Sequence, residues 1–386
     1  MSEAELPEPD RIEGAPHPRE TPRLIGQDAA EAAFLTAFTS GRLHHGWLIT
    51  GPRGVGKATL AWRIARFLLA TPDPGDDGLF GAPHPPASLD IAAEHPVARR
   101  MLSGAEPGLF VLRRGGAGST DKEREKNLRD GKFSKVIRVE DARPLKAFFS
   151  LSSVDGGRRV VIIDAADDLN PNAANAILKL LEEPPARTVL LLIAHQPSRL
   201  LPTIRSRCRE LRLAPLPPPA IAEALDQAEI ATGAAPEALA ELAGGSVGEA
   251  VRLVALDGLA TYHNLVALLG TMPRFDAARA QALADMAAAR GGEERRALLF
   301  HLIDLALSRL ARTGATGRPP AVEAAPDEAA ILARLAPSPA AGRAWAQAAE
   351  EIGARLRHGE AVNLDPAALI LDTVFKLQSI AGGQAA

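Results

Sequence analysis

The residues best suited to chemistry stand together at Gly51-Pro52-Arg53-Gly54-Val55-Gly56-Lys57-Ala58. The spacing G-x-x-x-x-G-K follows a short apolar run, Trp47-Leu48-Ile49-Thr50, and opens a helical pattern. That is the context a phosphate-binding loop requires. Gly51, Gly54 and Gly56 let backbone N–H groups turn inward around phosphate oxygens, the helix N-terminus adds positive potential, and Lys57 would reach the terminal phosphates. The next position should carry a hydroxyl for Mg2+, and it is Ala58. Thr59 lies about 100° further round the helix and is a poor substitute. A second candidate is Asp164, at the end of the apolar run Val160-Val161-Ile162-Ile163. A carboxylate there can hold Mg2+ directly or through water; its plainer role is to cap a helix. Hydrolysis also calls for a Glu immediately after that Asp, to polarise the attacking water, and the chain has Ala165. The pattern is that of a nucleotide site stripped of its catalytic groups. ATP or ADP bound without hydrolysis, and no nucleotide at all, both remain open at this point.

These groups need a scaffold, and the periodicity predicts one. A helix over 28–38 precedes the strand 47–50, and a second over 57–69 places Leu60, Ile64, Phe67 and Leu68 on one face before Pro72 and Pro74 end it. Strands are expected at 109–112, 159–164, 188–194 and 209–213. The runs VVIID and TVLLLIA are apolar without alternation, as in strands buried on both faces of a parallel sheet. Helices between them give a βαβ pattern and an α/β core. Pro217-Pro218-Pro219 marks a boundary, because successive prolines cannot continue a helix. Beyond it the pattern is helical only, with short helices at 220–228, 236–243 and 248–255, longer ones such as 293–312 and 342–357, and a loop at 314–326. The expected organisation is a disordered leader over 1–21, an α/β core over 22–214, a small helical lid over 215–257 and an all-α domain over 258–386.

The 386 residues suffice for two or three buried cores, and 46% hydrophobic with 24% charged residues is ordinary for a soluble globular protein. A net charge of -3 argues against a protein whose whole surface binds nucleic acid. Cys208 is the single cysteine, so neither an internal disulfide nor a multi-thiolate zinc site can form, and no metal site is expected. Cys208 itself reads as a small core residue. The acidic, Pro-rich start lacks the apolar stretch of a signal peptide, and no run approaches the ~20 apolar residues of a membrane span. A cytoplasmic protein with no membrane partner is the expectation.

Three longer stretches identify a family. Residues 41–51, GRLHHGWLITG, lead into the phosphate loop; residues 175–185, NAILKLLEEPP, and 200–208, LLPTIRSRC, are more specific. Together with Gly26-Gln27 they resemble the clamp-loader subunits of bacterial DNA polymerase III, a family of AAA+ proteins, over about residues 24–215. Asn363-Leu364-Asp365-Pro366 is a weaker echo near the end. The resemblance implies an AAA+ P-loop NTPase core with a parallel sheet, a small helical lid and a C-terminal helical domain used for oligomerisation. It also implies assembly with gamma/tau and delta subunits, action on a sliding clamp, and contact with primer–template DNA through the complex. In that family the Ser-Arg-Cys triplet carries an arginine finger, so Arg207 would neutralise charge on a γ-phosphate held by a neighbouring subunit.

Active gamma/tau-type members should keep the hydroxyl after the loop lysine, the Glu after the strand Asp, and an Arg in the second domain; here Ala58, Ala165 and Gly248 stand at those places. His195 or Gln196 stands where a polar sensor is usual. The resemblance therefore implies a subunit of a DNA-directed DNA polymerase holoenzyme that needs no cofactor, hydrolyses nothing and donates Arg207. The alternatives are an active clamp-loader ATPase or another P-loop enzyme. Many relatives also bind zinc through four cysteines after the first helix, and this chain has none there.

Residues 113–146 hold eleven Lys/Arg against six Asp/Glu. The Gly-rich opening and mixed charges suggest a solvated loop. The functional alternative is sequence-blind, salt-dependent contact with DNA phosphates through Lys122, Lys126, Lys132 and Lys135.

Overall fold

The computed structural model describes residues 6–9, 11–12, 14–72, 85–150, 157–233 and 236–384. The chain forms two compact units: Met1–Ala228 with Gly245–Gly248, and Glu229–Gly244 with Glu249–Ala386. The first of these holds the α/β elements. Its elements are α1 (Asp28–Thr39), β1 (Gly46–Thr50), α2 (Lys57–Ala70), α3 (Pro96–Leu102), β2 (Leu109–Arg113), α4 (Asp121–Arg129), α5 (Val139–Ala142), α6 (Pro144–Ser150), β3 (Arg159–Asp164), α7 (Pro171–Glu182), β4 (Thr188–Ala194), α8 (Pro202–Arg205), β5 (Arg209–Arg212) and α9 (Pro218–Gln227). The five strands are parallel in the order β2-β3-β4-β1-β5.

β3 and β4 have the bounds read from their apolar runs. Val160–Ile163 and Leu190–Leu192 are fully buried because helices cover both faces. Each such side chain contributes ~1.5–3 kcal/mol. Behind β1, α1 and α2 bring Phe34 against Trp47 at 4.9 Å and Phe38 against Phe67 at 4.8 Å between ring centroids. The prolines after β5 start the helix expected at 220–228: Pro217 is the N-cap of α9 and Pro218 takes its first position, where a missing N–H costs nothing.

Two expectations for this unit need correction. The leader over 1–21 is not simply solvated, since among its described residues His17 and Arg19 are 5% and 8% exposed. The 113–146 insert is folded rather than a loop. Thr120 and Glu123 form a capping box that starts α4, and Ile137 is tied to the β3–α7 connection by Ile137 N to Asp168 O (2.7 Å) and Asn170 N to Ile137 O (2.9 Å). Charge composition suggested loop; the cap and a buried anchor prevail.

The second unit is helical: α10 (Pro236–Ala243), most of α11 (Val247–Ala255), α12 (Gly258–Thr271), α13 (Ala277–Ala288), α14 (Glu293–Thr316), α15 (Glu328–Leu335), α16 (Pro339–Ala361) and α17 (Pro366–Gln384). Where a loop was expected from 314, α14 continues to Thr316. The reason is packing: Gly314 lies so close to Gly342 of α16 that a Cβ on it would meet Gly342 Cα at 2.6 Å. The unit encloses Arg309, whose Nε and Nη1 donate to Glu328 and Glu241 at 2.7 Å each, while Tyr262 donates to Glu328 at 2.6 Å. Among the described residues, no single helix is long and apolar enough to cross a membrane. Residues 73–84, which follow α2, lie outside the described residues.

Candidate functional site

The candidates gather at the two ends of β1. At its carboxyl end the chain turns through the glycine loop. Gly51 has φ 141°, and a Cβ there would meet Leu213 O at 2.5 Å. Gly54 has φ 76°, and a Cβ on it would meet Gly248 N and Cα at 3.0 Å. Both positions require glycine, for conformation and for space. Gly56 is the N-cap of α2. Lys57, the first residue of α2, is only 3% exposed, and its Nζ donates to Gly51 O (2.7 Å) and Pro52 O (2.5 Å). Burial pulls its ammonium down to about 8, against the opposing charges of Asp167 and Asp164.

Asp164 closes β3, half-buried and in register with Arg113 of β2. Ala165, immediately after it, is buried. Asp167 is a member of this site that spacing did not reveal. Its carboxylate, 8% exposed, accepts from His195 N (3.1 Å) and Gln196 N (2.9 Å), so it pins the segment after β4 beside the loop. Its position three residues after Asp164 was the available signal. Gln27 braces the same end: its amide donates to Val55 O (3.3 Å) and Ala214 O (2.8 Å) and accepts from Ala214 N (3.2 Å). Gly248 donates from its N to Gly54 O at 3.1 Å, so it covers the loop with backbone where a sensing arginine would stand.

These residues do not fit a magnesium-bound triphosphate. No hydroxyl stands at 58 and no carboxylate at 165, and the Lys57 ammonium is turned onto its own loop. A loop carbonyl, Gly54 O, is already taken by Gly248 N.

At the amino end of β1 the chemistry is different. Arg207 lies between α8 and β5, and its carbonyl oxygen is 3.1 Å from a Cβ built on Gly46, the first residue of β1. Its side chain is 39% exposed; Nη1 donates to Thr203 O (3.1 Å) and Nη2 faces Glu182 Oε1 at 3.0 Å. Neighbouring His45 bonds through Nε2 to Leu181 O at 2.9 Å, holding the end of α7 that carries Glu182. Cys208 packs against the core, and burial pushes its thiol up to about 12. With ~3.3 Å of rise per residue, the strand sets the Arg207 backbone on the order of 13 Å from the loop. Arg207 and Lys57 thus belong to two ends of one strand, not to one site.

The four lysines of the insert are all exposed. Lys122 and Lys126 lie one turn apart on α4, and Lys132 and Lys135 follow it. Their arginine neighbours are engaged: Arg124 pairs with Asp121, Arg129 with Glu125 and Arg113 with Glu8. Among the described residues, no ion pair within 4 Å involves any of the four lysines, which stay with water.

Sequence comparison matches residues 26–217 to the family described as DNA polymerase III, delta subunit. The chain is 37% identical over 218 residues to DNA polymerase III subunit delta' of Pseudomonas aeruginosa, covering 53% of this chain and 57% of that one. It is 31% identical over 212 residues to subunit delta' of Bacillus subtilis, covering 55% and 54%. The chain thus spans about half the length of the curated relatives it matches. A gamma subunit-related protein of Thermotoga maritima superposes with a TM-score of 0.42 at 16% identity, covering 90% of this chain and 99% of that one.

Proposed function

We propose that the chain acts as the delta-prime subunit of a clamp loader, inert as an ATPase and donating Arg207 to a neighbouring gamma/tau ATP site; the match of residues 26–217 to the DNA polymerase III delta-subunit family supports this reading. The observation that carries this reading is the separation of Arg207 from the chain's own phosphate loop by the length of β1. A guanidinium at that end can reach a phosphate only on another subunit. Its planar, permanently charged fork suits two phosphate oxygens, and it is engaged only by a carbonyl and a half-exposed carboxylate that assembly can displace.

At the other end, Ala58 gives the metal no hydroxyl and leaves Asp164 as its single side-chain candidate, Ala165 leaves no base to polarise water, and no cofactor is required. The partners are gamma/tau and delta subunits in the cytoplasm, the sliding clamp, and primer–template DNA, with Lys122, Lys126, Lys132 and Lys135 offering phosphate contacts. The helical second unit supplies the surface for oligomerisation.

The test is ATP hydrolysis by a reconstituted loader, stimulated by clamp and primed DNA. Arg207→Ala should lower hydrolysis at the neighbouring site by about 10³-fold or more, the scale of arginine fingers, while assembly is retained. An unchanged rate with normal assembly would remove the finger, and turnover by the isolated chain would favour an active ATPase subunit instead.

A further inference from the structure

The residues of the glycine loop do not fit a bound magnesium nucleotide, and the leader shows what stands there instead. We infer that the chain's own leader, through Glu8 and Ile12, fills the crevice in which a nucleotide would lie, so that the degenerate loop takes none. This rests on reading residues 51–57 as the phosphate loop of a non-hydrolysing subunit.

In open parallel sheets, ligands sit beyond the carboxyl ends of the strands. The leader crosses that edge. Glu8 is held at the carboxyl end of β2, where its carboxylate meets Arg113 Nη1 at 2.5 Å and His17 Nε2 at 2.6 Å. Ile12 lies against Gly248, the residue that covers the loop: its Cδ1 is 2.9 Å from a Cβ built on Gly248, and the same Cβ is 2.9 Å from Gly54 Cα. From β2 to β1 there are three strand spacings, about 14 Å.

The leader then descends along α2. His17 Nδ1 accepts from Arg19 N at 3.0 Å, and the His17 ring meets Trp62 edge-on at 5.4 Å between centroids. Arg66 donates to Arg19 O, Arg63 Nη1 donates to Pro22 O at 2.5 Å, and Leu24 Cδ1 lies 2.6 Å from a Cβ built on Gly56. The segment is therefore fixed on both sides of the loop.

The chemistry of this occupant opposes a nucleotide at each contact. Ile12 brings an apolar side chain beside Gly248, whose N–H already takes the loop carbonyl Gly54 O. Glu8 takes the guanidinium of Arg113, a cation at the same edge that could otherwise attract phosphate. Burial opposes ionisation of Glu8, but the His17 hydrogen bond and the Arg113 charge outweigh it and hold the carboxyl at about 2, so the anchor stays charged at neutral pH.

The test uses the full chain and a fluorescent ADP analogue, with and without Mg2+. The unmodified chain should show no saturable binding. The double variant Glu8→Gln/Ile12→Ser, which releases both anchors while leaving the loop intact, should bind at least ten-fold more tightly. Gly248→Ala places a methyl group against both Gly54 and Ile12 and should shift binding in the same direction, giving an independent check. Equal binding by all three proteins would overturn the inference. So would failure of both variants to bind while circular dichroism shows them folded, since the closure would then belong to the loop alone. Failure of the non-hydrolysing reading has a different signature, turnover of ATP by a variant that binds it, which would leave the leader's place in the crevice intact.

Discussion

The two ends of β1 are built on opposite principles. At the carboxyl end three charged groups are already engaged: Lys57 with two carbonyls, Glu8 with Arg113 and His17, Asp167 with two backbone N–H groups. At the amino end Arg207 sits half-exposed, in contacts that water or a phosphate can replace. On the reading proposed above, the difference teaches where to look for function in a subunit without catalysis of its own. A phosphate loop can survive as a structural corner, packed by glycine contacts that no longer serve a ligand, while the residue that serves a partner must stay exchangeable.

The contrast can be broken first at Asp167. Asp167→Ala leaves two N–H groups near the loop without their charged acceptor, which should cost ~3 kcal/mol and lower the urea midpoint of the first unit at unchanged slope. A change below ~0.5 kcal/mol would mean that the carboxyl end is not held by that carboxylate. The exposed insert sharpens the comparison differently, because it would let the closed end touch DNA through its surface. Replacing Lys122, Lys126, Lys132 and Lys135 by Gln should weaken DNA binding by the assembled loader ten-fold or more. It should also make the log–log salt slope shallower by up to about 3.6, at ~0.9 for each duplex phosphate left without its lysine. An unchanged slope would assign the lysines to solvent alone. The smallest effect is expected at Glu182, whose ion pair with Arg207 is half-exposed and worth ~0–1 kcal/mol. Glu182→Ala should move the concentration for half-maximal stimulation of the loader by less than ~5-fold, with the maximal rate unchanged. A loss approaching that of Arg207→Ala would mean that Glu182 aims the guanidinium rather than merely resting against it.

What could be read from the sequence follows the range of the interactions involved. β3 and β4 were legible to the residue, because Val160–Ile163 and Leu190–Leu192 are apolar on both faces and polar residues bound them. The turn of the glycine loop was legible because its motif is contiguous. The start of α4 was written locally too, in Thr120 and Glu123, but a reading from net charge passes over a capping box. Other features depend on distant partners: Asp167 meets residues 28 and 29 positions away, and Glu8 meets Arg113 across the insert side of the sheet. The extra turns of α14 depend on Gly342, which only the folded second unit brings to Gly314. No local propensity records such pairs, and an acidic, Pro-rich leader reads as solvated until its burial is seen.

The most direct test of the contrast is a single-turnover ATP hydrolysis experiment on the assembled loader with two variants side by side, Lys57→Ala and Arg207→Ala. The account predicts that Lys57→Ala hydrolyses at the unmodified rate, while Arg207→Ala loses about 10³-fold at one site. A rate that falls with Lys57→Ala and survives Arg207→Ala would contradict it, placing the chemistry in the chain's own loop.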